Sequence, residues 1–242
     1  MTLATVSYRQ SHLAKGADYH RRFETNPRRA LIWRIERKIL DDIYSRYLRG
    51  RRVDYLDFAC GTGRILAHYE NRVDSARGVD ISAKMLATAS ANTARSELVE
   101  GDLTRQDLLA GRQFDLITAF RFFPKAEATL RSEAMAALAA RLRSDGLLVM
   151  NNHESSGAVR KRLARLLTAG RRGRRGMSAA QVRELITSVG LQIVRTYHAG
   201  LLPEWEEFLL RPRFLVAACE ELSRRLPLAA FAENVVYVCR RR

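Results

Sequence analysis

The chain has 242 residues, is 47% hydrophobic and 28% charged, and carries a formal net charge of +16. That length suits one sheet-and-helix domain, and that apolar content excludes a disordered chain. The polar start from Met1 to Lys15 lacks the apolar run of a signal peptide, no segment reaches about 18 apolar residues, and three scattered cysteines offer no metal spacing and fit a reducing cytoplasm.

Asn26-Pro27 reads as an N-cap and first helical position. From there Leu31, Ile32, Ile35, Ile39, Ile43 and Tyr47 form a helical apolar stripe to about Leu48. Val53 to Phe58 reads as a short buried strand that carries Asp57 into the turn Ala59-Cys60-Gly61-Thr62-Gly63, and a helical pattern begins at Arg64. In an open parallel sheet, nucleoside ligands sit outside the carboxyl end of such a strand. Gly61 and Gly63 free the backbone dihedrals and let a ligand approach closely, and the following helix offers its first N–H groups. The turn is not a phosphate loop, because no Gly-Lys-Ser/Thr triplet occurs in the chain. A dinucleotide loop asks for GxGxxG, and Leu66 stands at the third glycine.

Ala76 to Asp80 reads as a second strand with an acid at its tip, followed by Ser82 as N-cap of a helix from Ala83 to about Asn92. Leu98 to Leu103 reads as a third strand and its exit, Phe114 to Phe120 as a fourth and Gly146 to Asn151 as a fifth. Arg121-Phe122-Phe123-Pro124 and Asn151-Asn152-His153-Glu154 follow the fourth and fifth strands. Between Ser155 and Val182 there is no acid, and eight cations fall between Arg160 and Arg175. Within that stretch Ala158 to Leu167 reads as an amphipathic helix that can cover its own core, rest on a membrane surface or grip an anionic group. Ser178 caps a helix through Ser188, Leu191 to Tyr197 reads as a strand, Pro203 to Phe231 as an apolar, partly helical stretch, and Asn234 to Arg240 as the closing strand.

Asp57-x-x-x-Gly61-x-Gly63, then Asp80 and Asp102 at successive strand ends, resembles the motif series of the class I S-adenosylmethionine (SAM) methyltransferases over roughly residues 50 to 200. The resemblance implies a doubly wound, Rossmann-like α/β fold: a seven-stranded, mainly parallel sheet with helices on both faces, antiparallel only at the last strand. It implies one domain over 1–242, with a helical N-terminal lid (1–50), a cofactor-binding core (51–152) and substrate-side helices and closing strands (153–242). SAM is the expected cofactor and S-adenosylhomocysteine (SAH) the product. Asp57, Ala59, Gly61 and Gly63 would form the cofactor turn. Asp80 would accept from the ribose hydroxyls and Asp102 from the adenine amino group, with Ile81 and Leu103 on the ring faces. Phe120 would lie near the cofactor, and Tyr19 is the candidate lid aromatic.

The expected reaction is methyl transfer to a small or medium acceptor, preferentially at a hydroxyl, in the cytoplasm. His153 is the candidate general base, because imidazole titrates near neutrality. The Asn/Asp-Pro-Pro-Tyr/Phe sequence of base-amino methyltransferases is missing after the fourth strand, where Arg121-Phe122-Phe123-Pro124 stands. Nucleic acid is therefore the lesser expectation. An RNA methyltransferase working through 160–175 and a non-catalytic SAM-binding protein are the alternatives. An anionic or membrane-surface contact through 158–175 stays open, and no metal site is expected.

Overall fold

A computed structural model of the chain describes residues 7–13, 26–153, 176–199 and 232–242. Tyr19, Glu154, the basic 160–175 segment and the apolar 203–231 stretch lie outside the described residues, and with them the expectations placed there.

Seven strands form one sheet: β1 (Asp54–Phe58), β2 (Ser75–Asp80), β3 (Glu97–Glu100), β4 (Phe114–Ala119), β5 (Leu142–Asn152), β6 (Leu191–Ala199) and β7 (Asn234–Arg241). Their order is β3-β2-β1-β4-β5-β7-β6. The first five pair in parallel, and β7 runs antiparallel to both β5 and β6. The chain starts at β1, moves outward to β3, then returns across β1 to β4. The β1/β4 boundary is therefore the topological switch point, where a crevice opens at the carboxyl ends of the strands.

The described helices are α1 (Tyr8–Leu13), α2 (Pro27–Tyr47), α3 (Arg64–Tyr69), α4 (Ala83–Asn92), α5 (Ala128–Ala140) and α6 (Ala179–Thr187). Alternate strand residues point to opposite faces, so β1 and β4 are apolar on both. Leu56, Phe58 and Ile117 pack with Leu130, Met135 and Leu138 of α5 and with Val182 and Ile186 of α6. Tyr55, Leu116 and Val149 pack with Ile35, Ile39 and Ile43 of α2 and with Ile65, Leu66 and Tyr69 of α3. Helix starts follow their caps: the Asn26 side chain accepts from the Arg29 N–H at 3.0 Å, and Ser178 and Gln181 make a reciprocal capping box.

Two elements differ from the sequence reading. β5 begins at Leu142, four residues before Gly146; the polar Arg143-Ser144-Asp145 hides this start from an apolar pattern, and Arg143 there bridges Asp54 and Asp115, each at 2.9 Å. α5 was not expected. Its Ala-rich sequence lacks a side-chain cap at Glu127, and the helix is fixed by burial of Leu130, Ala134 and Leu138 against the sheet.

Candidate functional site

An open cleft lies at the carboxyl ends of β1, β2 and β4. Its floor is the turn after β1. Ala59 (φ 54°), Gly61 (φ 58°) and Gly63 (φ 75°) are all left-handed, so the chain doubles back within five residues. Ala59 takes this conformation at a cost of about 1–2 kcal/mol. The turn is held by the Cys60 N–H donating to the Val79 carbonyl at 3.1 Å and the Asn92 amide donating to the Thr62 carbonyl at 2.9 Å.

The two glycines serve different ends. A Cβ on Gly61 would meet nothing within 4 Å, so space is open above it. Gly63 is not on the cleft wall; a Cβ there would stand 3.1 Å from the Ala89 Cβ. Its bare backbone lets α3 and α4 approach each other. Gly78 of β2 does the matching job between helix and strand, since a Cβ there would fall 2.8 Å from Leu66 Cδ2. This explains why Leu66 can replace the third glycine of a dinucleotide loop: the small residue is on the strand instead.

Asp57 and Asp80 face the cleft from adjacent strand ends. The Thr118 hydroxyl donates to Asp57 Oδ1 at 2.6 Å. Because that proton is committed, the Tyr55 hydroxyl, 2.7 Å from Thr118 Oγ1, is the donor in the second bond. A buried chain therefore runs from Tyr55 through Thr118 and points Asp57 at the cleft. Asp57 Oδ2 is buried with no hydrogen-bond partner among the described residues. Burial pushes the Asp57 carboxyl up to about 7, although the Thr118 bond and the charge of Arg64 pull it down. Asp80 accepts from the Gly61 N–H at 2.8 Å and the Ser82 N–H at 2.9 Å, and burial raises its pKa against those two bonds.

Asp102 sits just beyond β3 with Leu103, across from Ile81. Its carboxylate already has partners: Oδ1 accepts from the Thr104 N–H and hydroxyl, and Oδ2 pairs with Arg9 Nε at 2.7 Å. Burial pushes its pKa up, but the Thr104 hydroxyl and the Arg9 guanidinium outweigh that and hold it below the usual carboxylate range. Arg9 also reaches Glu133 of α5 at 3.0 Å, and the neighbouring Tyr8 ring meets Phe122 edge-on at 5.2 Å. α1 is thereby tied along one wall of the cleft, and Tyr8 and Arg9 line it.

Phe120 and Arg121, after β4, line the cleft as well. Tyr19 is outside the described residues. His153 is buried directly after β5 and is not among the described residues that line the cleft. β5 carries Asn151 and Asn152 inward, and His153 is already past the strand end. Sequence reasoning missed Tyr8, Arg9, Arg64 and Glu36. Glu36 left a trace: it is a lone acid beside Ile35 and one turn before Ile39, on the buried stripe of α2, where a charge needs a partner. Among the described residues, no group of three potential ligands is placed to hold a metal ion, and no helix is long and apolar enough to cross a membrane.

Residues 56–146 match the sequence model of a methyltransferase domain. A dTDP-3-amino-3,6-dideoxy-alpha-D-glucopyranose N,N-dimethyltransferase of Streptomyces fradiae is 32% identical over 142 residues, which is 57% of this chain and 49% of the relative. The chain thus spans about half the length of that curated relative. Among solved structures, the magnesium protoporphyrin IX methyltransferase of Synechocystis PCC 6803 with bound SAH is similar over 97% of this chain and 98% of its own, with a TM-score of 0.68 at 15% identity. A possible histamine N-methyltransferase of Thermotoga maritima is similar over 93% of this chain and 95% of its own, with a TM-score of 0.59 at 15% identity. These two share the fold described above. Residues 56–146 thus carry a methyltransferase domain, and the strand order around the switch-point cleft is set in the fold that these solved methyltransferases share.

Proposed function

We propose that the protein transfers a methyl group from SAM to a small or medium-sized acceptor. The observation that carries this reading is the convergence of Asp57, Asp80 and Asp102 around the glycine turn in one cleft. The residues fit the cofactor. The buried, unpartnered Asp57 Oδ2 suits a cationic amino group, and the open space over Gly61 admits a ligand against the backbone. Asp80, with each oxygen already oriented by a backbone N–H, keeps lone pairs for two hydroxyl donors. Ile81 and Leu103 offer apolar faces to a purine.

When bound, SAM supplies a methyl carbon on a sulfonium sulfur, passed in line to a nucleophile with release of SAH. The chain's own contribution is placement. The Tyr55–Thr118–Asp57 chain fixes one end of the donor site, and Asp80 the other. Tyr8, Phe120 and Phe122 wall off water, which keeps the reacting atoms in register.

For the acceptor atom we place an amine ahead of a hydroxyl. A hydroxyl calls for a base on the cleft wall, and His153 is not among the described lining residues. A neutral amine attacks with its own lone pair and sheds a proton to solvent afterwards. The amino-sugar relative supports the same choice. The test is calorimetry with SAH, followed by transfer from radiolabelled SAM to matched amino and hydroxyl forms of one sugar, with RNA as a third acceptor. Label on the amino form alone supports the reading. Label on the hydroxyl form restores the role proposed for His153, and label on RNA shifts the acceptor to nucleic acid. SAH binding with no transfer to any acceptor leaves the non-catalytic alternative.

A further inference from the structure

A second polar centre stands on the β4–β5–β7 side of the cleft, away from Asp80 and Asp102. Its middle is Glu36 of α2, whose side chain is fully buried. Glu36 Oε2 pairs with Arg64 Nη1 at 3.1 Å, and Oε1 lies 3.6 Å from Arg121 Nη2. The Asn234 amide of β7 donates to Glu36 Oε1 at 2.9 Å, and the Asn151 amide of β5 donates to Asn234 Oδ1 at 3.0 Å. Asn151 Oδ1 in turn accepts the Arg121 backbone N–H at 2.6 Å. Arg121 itself is left-handed at φ 62°. The Arg64 guanidinium lies 4.1 Å over the Trp33 ring. Both arginines line the cleft while one buried carboxylate holds them from behind.

We propose that Arg64 and Arg121, pinned by Glu36, form an anion subsite that takes a carboxylate or phosphate group carried by the methyl acceptor. The inference rests on the reading of the cleft as a methyl-transfer site. Guanidinium forks match planar and tetrahedral oxyanions, and fixing them in advance removes the entropy cost of gripping one. A buried ion pair is a poor way to gain stability, since apolar residues of like volume do as well or better. Its presence beside Arg121, a strained non-glycine residue on the cleft wall, marks a functional position. Asp80 and Asp102, away from this centre, repel an anion, so the field along the cleft orients an anionic acceptor with its charge towards Arg121. The subsite accounts for the affinity of the acceptor's charged group. The amine reading above concerns the reacting atom, so the two stand separately.

The same chemistry has a second source, the carboxylate of the donor itself, and calorimetry separates them. Inorganic pyrophosphate is titrated into SAH-saturated and SAH-free protein. The expected result is binding to both forms, weakened tenfold or more by Arg121→Gln and by Arg64→Gln, with SAH affinity moving less than threefold. Arg121→Lys, which keeps the charge and loses the fork, is expected to lose about threefold. Pyrophosphate that binds only the SAH-free form, and is expelled by SAH, overturns the proposal and gives the pair to the donor. Wild-type affinity in both Gln variants, or no binding by the wild type, also overturns it. A wild type that fails to bind SAH is a separate result, and it removes the cofactor reading on which the inference stands.

Discussion

At the β1–β2–β3 end of the cleft, the acids are held by their near surroundings. Asp80 accepts from Ser82 two residues on, and Asp102 from Thr104 two residues on. Asp57 meets Thr118 because the two are register partners on adjacent strands. At the β4–β5–β7 end the charges are held from far away. Glu36 reaches Arg64, Asn151 and Asn234 across 28, 115 and 198 residues of chain. The acidic end is therefore set by strand ends and a turn, while the basic end exists only once α2 has docked on the completed sheet. Damage should follow that division: changes at the acidic end weaken binding more than folding, and changes at the basic end weaken folding itself.

The largest effect expected is at Glu36. Glu36→Gln leaves two guanidinium groups against an uncharged, buried amide, and breaking a buried pair from one side costs about 3–5 kcal/mol. For a chain of this size that lowers the Tm by roughly 6–20 °C, measurable by thermal melting. A Tm within about 2 °C of the wild type would mean that the basic end does not depend on Glu36, and the contrast drawn above would fail.

Next is Asp80. Asp80→Ala removes an acceptor that orients the Gly61 turn and, as proposed, two charge-assisted bonds to the cofactor. SAH affinity is expected to fall about 100-fold, or ~2.7 kcal/mol, with a smaller change in Tm than Glu36→Gln. Unchanged affinity by calorimetry would remove the ribose role from this residue.

The same division explains what could be read in advance. The positions of the core strands and their acidic tips were legible because each follows from a local pattern: an apolar run, an acid at its end, a glycine or cap directly after; the mainly parallel sheet came from the resemblance, and the order of its strands only from the structure. Leu66 pointed away from a dinucleotide loop, but its partner Gly78 became meaningful only when β2 was placed under α3. β5 hid its first four residues behind Arg143 and Asp145, whose burial pattern is polar. Glu36 was visible as an acid on an apolar stripe, yet nothing in the sequence says that Arg64, Arg121, Asn151 and Asn234 gather on it. His153 shows the converse. A histidine following a strand end reads as a base, but its distance from the lining residues depends on how far β5 runs.

A smaller effect is expected from Asp57. Its folded pKa is raised, so the protein binds a proton there that the unfolded chain has already lost. That contribution to stability is complete at low pH, declines as pH rises from the ordinary carboxylate range, and is gone once pH exceeds the folded pKa of about 7. Between pH 6 and pH 8 the loss is about 1.4 kcal/mol. Asp57→Asn should flatten this part of the pH–stability curve in denaturant titrations and weaken SAH binding above pH 7. A variant with the wild-type curve would show that Asp57 is not the titrating group.

The smallest effect concerns Arg9, and here the acidic end breaks its own rule, since Arg9 reaches Asp102 across 93 residues. The pair is partly exposed, which limits it to about 1 kcal/mol or less. If α1 acts as part of a lid, Arg9→Ala should raise the SAH dissociation rate about threefold, within that range, and leave association unchanged in stopped-flow measurements. Tighter SAH binding would have the opposite meaning. Arg9 would then be a competitor that occupies the Asp102 carboxylate until the purine amino group displaces it, and the wall formed by α1 would be a gate that the cofactor opens. Raised salt separates the cases further. It weakens the Arg9–Asp102 pair, so the lid reading predicts faster SAH release from the wild type with added salt, and the competitor reading predicts tighter binding.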